Sequence, residues 1–347
     1  HTGQKHMKNW RIFYMQNNTG NFRLLFTGSL LLCAAAACFS ICLGTVTFSP
    51  CEVILALFQK GEPMNLNILK YARLPRTTAC LMGGAALSVS GAVLQNVLAN
   101  KLASPGIIGV NAGAGLGVTI CCALGIMYGW PVSVSAFLGS LATVIIISVF
   151  SGRTGASKTT VILGGVALNS MLNAFSESIT VLNPDVAVLT TEFRVGGFSA
   201  VSMQKLLPAS AFILTALILL FTLFNELDVL TLGDESAQSV GLSAKRYRVL
   251  FLILAALLAG SAVSFSGLLG FIGLIVPHFV RKITGNESRR LLPLCAVTGA
   301  AFLTLCDLIA RLLFMPYELP VGILMAVIGG PAFVWLLLKM KGGHRNG

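Results

Sequence analysis

Long apolar stretches occupy most of the chain, and short polar segments separate them. Ten windows have close to the length, roughly 17 to 25 residues, that a helix needs to cross about 30 Å of hydrocarbon. The windows are Leu24–Val46, Thr77–Val97, Ile107–Met127, Val132–Phe150, Val161–Leu182, Leu206–Phe224, Val249–Ser264, Leu268–Val280, Leu291–Phe314 and Leu319–Leu338. The pattern predicts an all-α integral membrane protein with ten transmembrane helices.

The composition agrees with a lipid environment. Hydrophobic residues make up 55% of the chain, charged residues 10%, and the mean hydropathy is +0.84. Such a chain lacks the polar surface of a soluble globule. We therefore expect a cytoplasmic segment at 1–23, a transmembrane domain at 24–339 and a cytoplasmic tail at 340–347. Residues 1–6 precede Met7 and are interpreted as an addition or a misplaced start, and the first window as a retained span rather than a secretory signal.

The cations predict the orientation. With the N-terminus inside, 17 of the 24 Lys and Arg residues fall on the cytoplasmic side. The other seven are Lys60, Lys70, Arg73, Arg76, Arg194, Lys205 and Arg311. This bias predicts that both termini are cytoplasmic. Because the cations sit in short loops and form no basic face with interleaved aromatics, no nucleic-acid partner is expected.

Two apparent chemical motifs carry no function. The nine cysteines form no C-x-x-C pair and lie mostly in apolar windows, which favours small hydrophobic packing residues over a metal site. The segment 152–159 resembles a phosphate-binding loop, but Ser157 replaces its second glycine and the segment joins two spans. No metal or bound cofactor is expected on this chain, and ATP with Mg²⁺ would belong to a partner ATPase.

An internal repeat links the second and seventh windows. The six residues 86–91 read ALSVSG and residues 262–267 read AVSFSG, and the seventh window comes five spans after the second. Two copies an odd number of spans apart cross in opposite directions, which predicts an inverted repeat. The glycine-rich third window then corresponds to the short eighth window, broken at Pro277, and matched broken segments indicate a transport site. Helix-packing seams of small residues are the open alternative.

The longest cytoplasmic loop, 225–248, contains a short predicted helix. Its acidic first turn and the stop at Gly241 are typical helix ends. Ala237 and Val240 are expected on one apolar face suited to a groove in a partner.

Nine motifs in chain order carry a family resemblance. They are Arg73–Arg76, Gly91–Gln95, Leu102–Gly106, Gly165–Asn169, Leu232–Glu235, Gly270–His278, Asp307–Arg311, Glu318–Gly322 and Gly329–Phe333. The series closely resembles the iron-siderophore, haem and vitamin B12 (FecCD-like) permeases of bacterial ABC importers, from about Leu24 to Lys339. The resemblance implies the type II ABC importer fold in the bacterial cytoplasmic membrane. It also implies a second permease copy or homologue, two ATPase subunits and an external substrate-binding protein.

The resemblance also implies roles for individual residues on the two faces of the membrane. Arg73, Arg76 and Arg311 fall on positions that dock glutamates of the binding protein, and Arg73 and Arg76 are expected to project outward together. Membrane anchoring is the alternative for Arg73 and Arg76, and pairing with Asp307 is the alternative for Arg311. The ATPase-coupling helix falls on Leu232 to Leu242, with contacts expected from Leu232, Gly233, Asp234, Glu235, Ala237 and Gly241.

The same resemblance places a pathway and an inner gate. The gate falls on Ser157, Lys158 and Thr159, where the charge of Lys158 departs from the small polar residues of the B12 importer. The fifth window would line the pathway with Asn169, Asn173 and Glu177, which are spaced by four residues and for which interhelical hydrogen bonding is the alternative. Arg194 at the entrance could favour an anionic chelate or be a solvated loop cation.

These observations predict the permease subunit of an ATP-driven importer for a ferric siderophore or related iron chelate. Haem or cobalamin is the alternative substrate within the family. An ion-coupled secondary transporter that uses Asp307 and Glu177 is the alternative from another class. The presence of a coupling loop favours the ABC permease.

Overall fold

The computed structural model describes residues 2–57, 62–126, 129–154 and 158–342. Within these ranges the chain forms fifteen α-helices and one π-helical turn, and no strand. The helices are α1 Thr2–Cys42, α2 Pro50–Leu57, α3 Pro63–Ile68, α4 Leu74–Val97, α5 Val110–Ala123, α6 Trp130–Thr154, α7 Lys158–Leu182, α8 Pro184–Val195, α9 Met203–Thr222, α10 Phe224–Thr231, α11 Asp234–Ser239, α12 Ala244–Ser266, α13 Ile272–Thr284, α14 Ser288–Leu312 and α15 Val321–Gly342.

Each of the ten predicted apolar windows contains a helix, but not every helix is long enough to span a bilayer. Seven helical segments of the described residues have the length and hydropathy to cross a membrane. They are Phe22–Cys42, Pro63–Val97, Trp130–Phe150, Thr159–Leu182, Met203–Thr222, Ala244–Ser266 and Ser288–Leu312. Helix α5 and the segment Val321–Trp335 of α15 are shorter apolar helices. The all-helical membrane fold is confirmed, whereas ten spans and an inverted repeat stay predictions.

The second helix begins earlier than the sequence predicts. The predicted window starts at Thr77, but the helix runs without a break from Pro63 through the π-helical turn Leu69–Arg73 into α4. Arg73 and Arg76 lower the hydropathy of this segment, which hides its helical start from a pattern based on apolar runs.

Helix α4 lies at the centre of the molecule and packs against α12, α13 and α14. Glycines allow the closest approaches, because a Cβ on Gly91 would collide with the backbone of Gly273, and one on Gly84 with the backbone of Gly299. Most of α4 and α12 is therefore buried, with 78% of an 18-residue window of each inside the molecule. The corresponding windows of α1 and α7 are only 11% and 17% buried.

Helices α5 and α13 are short, and each begins at a residue with left-handed backbone. Gly109 has a φ of 85° before α5, and Phe271 has a φ of 67° before α13. A non-glycine residue in this region costs about 1–3 kcal/mol, so packing must hold it. The Phe271 ring sits where a Cβ on Gly329 of α15 would lie. Both helices thus follow irregular backbone, as expected of interrupted spans.

A reciprocal cap starts α2, between α1 and α3. The Ser49 amide and hydroxyl both donate to the Glu52 carboxylate, over 2.7 and 2.9 Å, and the Glu52 amide donates to the Ser49 hydroxyl. This is a capping box. The hydrogen bonds from the Ser49 backbone and hydroxyl lower the pKa of Glu52 below its ordinary value.

Candidate functional site

One end of α14 carries a buried charge cluster centred on Asp307, here called the Asp307 network. The Asp307 carboxylate is fully buried, and Arg76 of α4 donates to it from Nε (3.0 Å to Oδ2) and Nη2 (3.0 Å to Oδ1). The same guanidinium donates from Nη1 to Glu318 in the α14–α15 connection. Arg76 therefore bridges two carboxylates through different nitrogen atoms.

Arg311 is the second cation of the Asp307 network. Its Nε lies 3.2 Å from Oδ2 of Asp307, one helical turn earlier, and only 2% of its side chain is exposed. Its Nη2 donates to the carbonyl and the hydroxyl of Ser40 in α1, over 3.1 and 2.9 Å. The Ser40 hydroxyl also forms a 2.9 Å hydrogen bond with Thr77 of α4. The network thus joins α1, α4 and α14 with buried polar contacts.

Arg73 lies beside the Asp307 network but binds backbone carbonyls instead of carboxylates. Its guanidinium donates to the carbonyls of Leu43 (2.8 Å) and Val46 (3.0 Å), just after α1 ends. The last carbonyls of a helix have no partner within it, so a cation there is favourable. Arg73 is 6% exposed in this position.

These contacts change the picture of the three predicted docking arginines. The expectation that Arg73 and Arg76 project outward together is wrong, because Arg73 turns toward the end of α1 while Arg76 faces Asp307 and Glu318. For Arg311, the structure shows the alternative pairing with Asp307. A docking role for the three arginines stays a prediction, and Arg76 is the member with a contact to a partly exposed carboxylate.

At the other end of α14, helices α10 and α11 form a compact unit (residues 224–242), here called the coupling element after its predicted role. The predicted short helix is present as α11, with Asp234 and Glu235 in its first turn. Gly233 and Gly241, with φ of 106° and 80°, flank it in conformations that suit glycine. The predicted helix with a glycine stop is confirmed.

Burial divides the predicted contact residues of the coupling element. Ala237 is fully buried, whereas Val240 is 68% and Leu232 is 71% exposed. The expectation that Ala237 and Val240 share one apolar face is therefore wrong. Glu235 is exposed, and Asp234 forms an ion pair with Arg248 of α12. Ala237 packs against the protein, whereas the apolar side chains of Leu232 and Val240 face outward.

Asp228 anchors the coupling element to α14. Its carboxylate accepts the backbone N–H of Ser288, the first residue of α14, at 3.0 and 3.2 Å. The Asn96 amide, near the end of α4, donates to the Ser288 hydroxyl over 3.1 Å. The free amides of a helix start favour such an acceptor. The coupling element is therefore hydrogen-bonded directly to the helix that carries Asp307 at its far end.

The predicted pathway residues lie on the exposed helix α7. Asn169 is half-buried, and Asn173 and Glu177 are exposed, so spacing and exposure place all three on one open stripe. Of the predicted inner gate, Ser157 lies outside the described residues. Lys158 is the first residue of α7, and Thr159 is exposed.

Arg194, in the last turn of α8, connects three helices. Its Nη2 donates to the Ser176 hydroxyl of α7 over 3.0 Å, and Ser176 shares a 2.7 Å hydrogen bond with Thr119 of α5. Arg194 is exposed overall. The sequence predicts either a cation that attracts an anionic chelate or a solvated loop cation, and neither prediction includes this hydrogen bond to Ser176.

A cavity of about 420 Å³ lies beside α8, between the end of α12 and the start of α15. The charged residues on its lining are Glu192 and Lys205. The end of α8 is joined to its neighbours through the backbone, because Gly197 donates to Ser266 and Gly322 donates to Gly196, over 2.8 and 3.1 Å. A displacement of α8 would therefore act on the start of α15.

No group of three His, Cys, Asp or Glu side chains suited to a metal ion occurs in the described part of the chain. The nine cysteines, all in described segments, are free thiols. The charged groups of the site are thus arginines and carboxylates.

Sequence reasoning missed Asp228 and Glu318. Both act over a long sequence separation, since Asp228 is 60 residues from Ser288 and Glu318 is 242 residues from Arg76. No local pattern marks such contacts. The Asp307–Arg311 spacing of one helical turn was the single local signal.

The chain was compared with known proteins. The FecCD transport family matches residues 31–339. The hemin transport system permease protein HmuU of Yersinia pestis is 36% identical over 78% of this chain and 82% of its own length. The vitamin B12 import system permease protein BtuC of Salmonella typhi is 36% identical over 94% and 98%, respectively. A solved ABC transporter described as metal-chelate type, in an inward-facing conformation, has a TM-score of 0.81 and 29% identity, covering 91% of this chain and 99% of that one.

Proposed function

Since the chain belongs to the FecCD transport family and is an ABC importer permease, we propose that it carries a ferric siderophore or related iron chelate across the bacterial cytoplasmic membrane. ATP and Mg²⁺ bind a separate ATPase in this proposal, and the permease itself catalyses no reaction. An extracytoplasmic binding protein delivers the chelate. The multiple apolar helices and the permease relatives make the chain a multi-pass membrane protein.

The coupling element is the observation that carries the ATP-driven part of this proposal. Leu232 and Val240 expose apolar side chains on this unit. The unit itself is held in place by buried Ala237 and by the hydrogen bond from Ser288 of α14 to Asp228. Exposed apolar side chains on a rigid support are what an interface core needs. An ATPase groove that covers them could push directly on the start of α14.

The proposed assembly is a two-fold pair of permeases with two ATPase subunits. Each permease has ten spans in an inverted repeat, and both termini are cytoplasmic. The exposure of α7 supports a second copy or homologue, because its polar stripe of Asn169, Asn173 and Glu177 would be costly against lipid. Facing a second permease, this stripe would line a shared pathway, with Ser157, Lys158 and Thr159 at its inner gate.

The substrate class has an alternative with support of its own. The named relatives include a hemin permease and a vitamin B12 permease, which favours haem or cobalamin as the second candidate. An ion-coupled secondary transporter is less favoured, because Asp307 is fully buried between Arg76 and Arg311. A carboxylate held by two guanidinium groups is stabilised in its charged form and is poorly suited to carry protons.

Reconstitution of the permease with its ATPase tests the coupling proposal. Leu232→Asp combined with Val240→Asp places carboxylates at the proposed interface core. We expect a loss of about 2 kcal/mol or more in association with the ATPase, as for the central residues of other interfaces. Substrate-stimulated ATP hydrolysis and uptake should fall with it, and the permease alone should hydrolyse no ATP.

Ser236→Asp combined with Ser239→Asp is the matched control, since it adds the same two charges at exposed polar positions of α11. It should leave coupling close to wild type, and both variants should unfold at the wild-type temperature. Wild-type ATPase stimulation in the Leu232→Asp, Val240→Asp variant would refute the coupling role. Uptake of radiolabelled ferric siderophore, haem and cobalamin into the same proteoliposomes, each with its binding protein, then decides the substrate.

A further inference from the structure

Arg76 holds two carboxylates that differ greatly in exposure. The Asp307 side chain is 0% exposed, whereas the Glu318 side chain is 37% exposed. Arg76 itself is 12% exposed. One side of this guanidinium therefore faces the protein interior, and the other side faces a residue that solvent or a partner can reach.

The two carboxylates are also held differently. Asp307 receives hydrogen bonds from Nε and Nη2 of Arg76 and forms a second ion pair with Arg311. Glu318 has a hydrogen bond to Nη1 of Arg76 alone among the described contacts of its side chain. Removal of Asp307 would leave buried cations without compensation, while Glu318 can move into water with its charge solvated. Of the two carboxylates, only Glu318 can therefore leave Arg76 and be replaced by another carboxylate.

We propose that Glu318 is an internal stand-in for a carboxylate of the docking partner, and that docking replaces Glu318 on Arg76. This inference rests on the proposed function, and its new element is the competition between Glu318 and the partner's carboxylate for Arg76. After Glu318 leaves, the three arginines of this region are balanced only by Asp307. The remaining positive charge favours an incoming carboxylate, which finds Nη1 already oriented by the Asp307 contacts.

The exchange has a direct structural output. Glu318 lies three residues before Val321, the first residue of α15, and Leu319 donates its amide to the Ala310 carbonyl of α14 over 3.3 Å. Gly322, in the first turn of α15, donates to Gly196 at the end of α8. Release of Glu318 removes the tie between this connection and α4, so docking would change the restraint on the start of α15 and on its contact with Gly196 in the cavity lining.

A partner-free measurement tests the first half of the proposal. Hydrogen exchange is followed in peptides covering 313–322 of the intact permease–ATPase complex in lipid nanodiscs. Glu318→Gln should raise exchange in this connection severalfold, while exchange in α4 stays unchanged. Glu62→Gln, which removes an exposed carboxylate at the start of α3, is the matched control and should change neither segment. Unchanged exchange in 313–322 of Glu318→Gln overturns the proposal.

Affinity for the binding protein tests the second half. Glu318→Gln removes the internal competitor and should tighten docking about tenfold, the scale of one charge-assisted hydrogen bond that no longer has to be broken. In an Arg76→Gln background the same substitution should have no effect. Glu318→Asp, which keeps the charge on a shorter side chain, should fall between wild type and Glu318→Gln.

Two results separate this inference from the proposed function. Weaker or equal docking by Glu318→Gln, with normal chelate uptake by the wild type, overturns the exchange and leaves the importer intact. Absence of both binding-protein docking and chelate uptake in the wild type overturns the proposed function. The replacement of Glu318 on Arg76 is then overturned too, even if hydrogen exchange in 313–322 changes.

Discussion

The two ends of α14 both depend on a carboxylate, and they use it in opposite ways. At the end of the helix, Asp307 is fully buried and neutralised by Arg76 and Arg311. At the start, Asp228 is half-buried and accepts the amide of Ser288, while the nearby pair of Asp234 and Arg248 leaves Asp234 48% exposed. The end of α14 is held to α4 by a buried ion pair, and its start is held to the coupling element by a partly buried helix cap.

The difference shows how each end can be recognised. Near Asp307, the charge contact between Arg76 and Glu318 is accessible through Glu318, whose side chain is 37% exposed. In the coupling element, Asp228 and Asp234 form contacts within the chain, and the apolar side chains of Leu232 and Val240 are among the most exposed groups. Partners at the two ends should therefore differ in salt dependence, because charge contacts are screened and apolar burial is not.

The sharpest way to break this comparison is Asp307→Asn. It leaves buried Arg311 without its anion and Arg76 with Glu318 alone, and loss of one partner of a buried ion pair costs about 3–5 kcal/mol. We expect a lower midpoint in denaturant unfolding of the purified permease in detergent. Glu62→Gln removes an exposed carboxylate that has no buried partner among the described residues, and it serves as the control. A wild-type midpoint for Asp307→Asn would show that the network contributes little to stability.

Asp228→Ala should have an intermediate effect. It removes the acceptor of the Ser288 amide, and the loss of a helix N-terminal cap costs about 1 kcal/mol. The measurement is hydrogen exchange at the start of α14, which should rise while exchange near Asp307 stays unchanged. Equal changes at both ends would contradict the separation of the two regions. ATPase coupling should also weaken, since the coupling element loses its fixed contact with α14.

The smallest effect is expected for Asp234→Asn. The ion pair with Arg248 is partly solvated, and exposed pairs contribute about 0–1 kcal/mol. Thermal unfolding at low and high salt should show a small difference between variant and wild type that disappears as salt rises. A difference that persists at high salt would mean that Asp234 acts through packing or through the α11 first turn instead of the ion pair.

The positions of the apolar helices and of α11 could be predicted from the chain alone. Both depend on neighbours in sequence: an apolar run that fits a bilayer, or an acidic turn between Gly233 and Gly241. The Asp307–Arg311 pair could be foreseen as an alternative for the same reason, since its members are one helical turn apart.

The partners of Arg73, Arg76 and Asp228 were decided by tertiary structure. Arg76 meets Asp307 across 231 residues, and Arg73 meets the end of α1 because the π-helical turn before α4 places it there. A polar side chain inside an apolar protein binds the nearest group that satisfies it, and packing of α1, α4 and α14 determines which group is nearest. Local sequence therefore predicted where the apolar helices lie, while the contacts that organise the charges required the assembled helices.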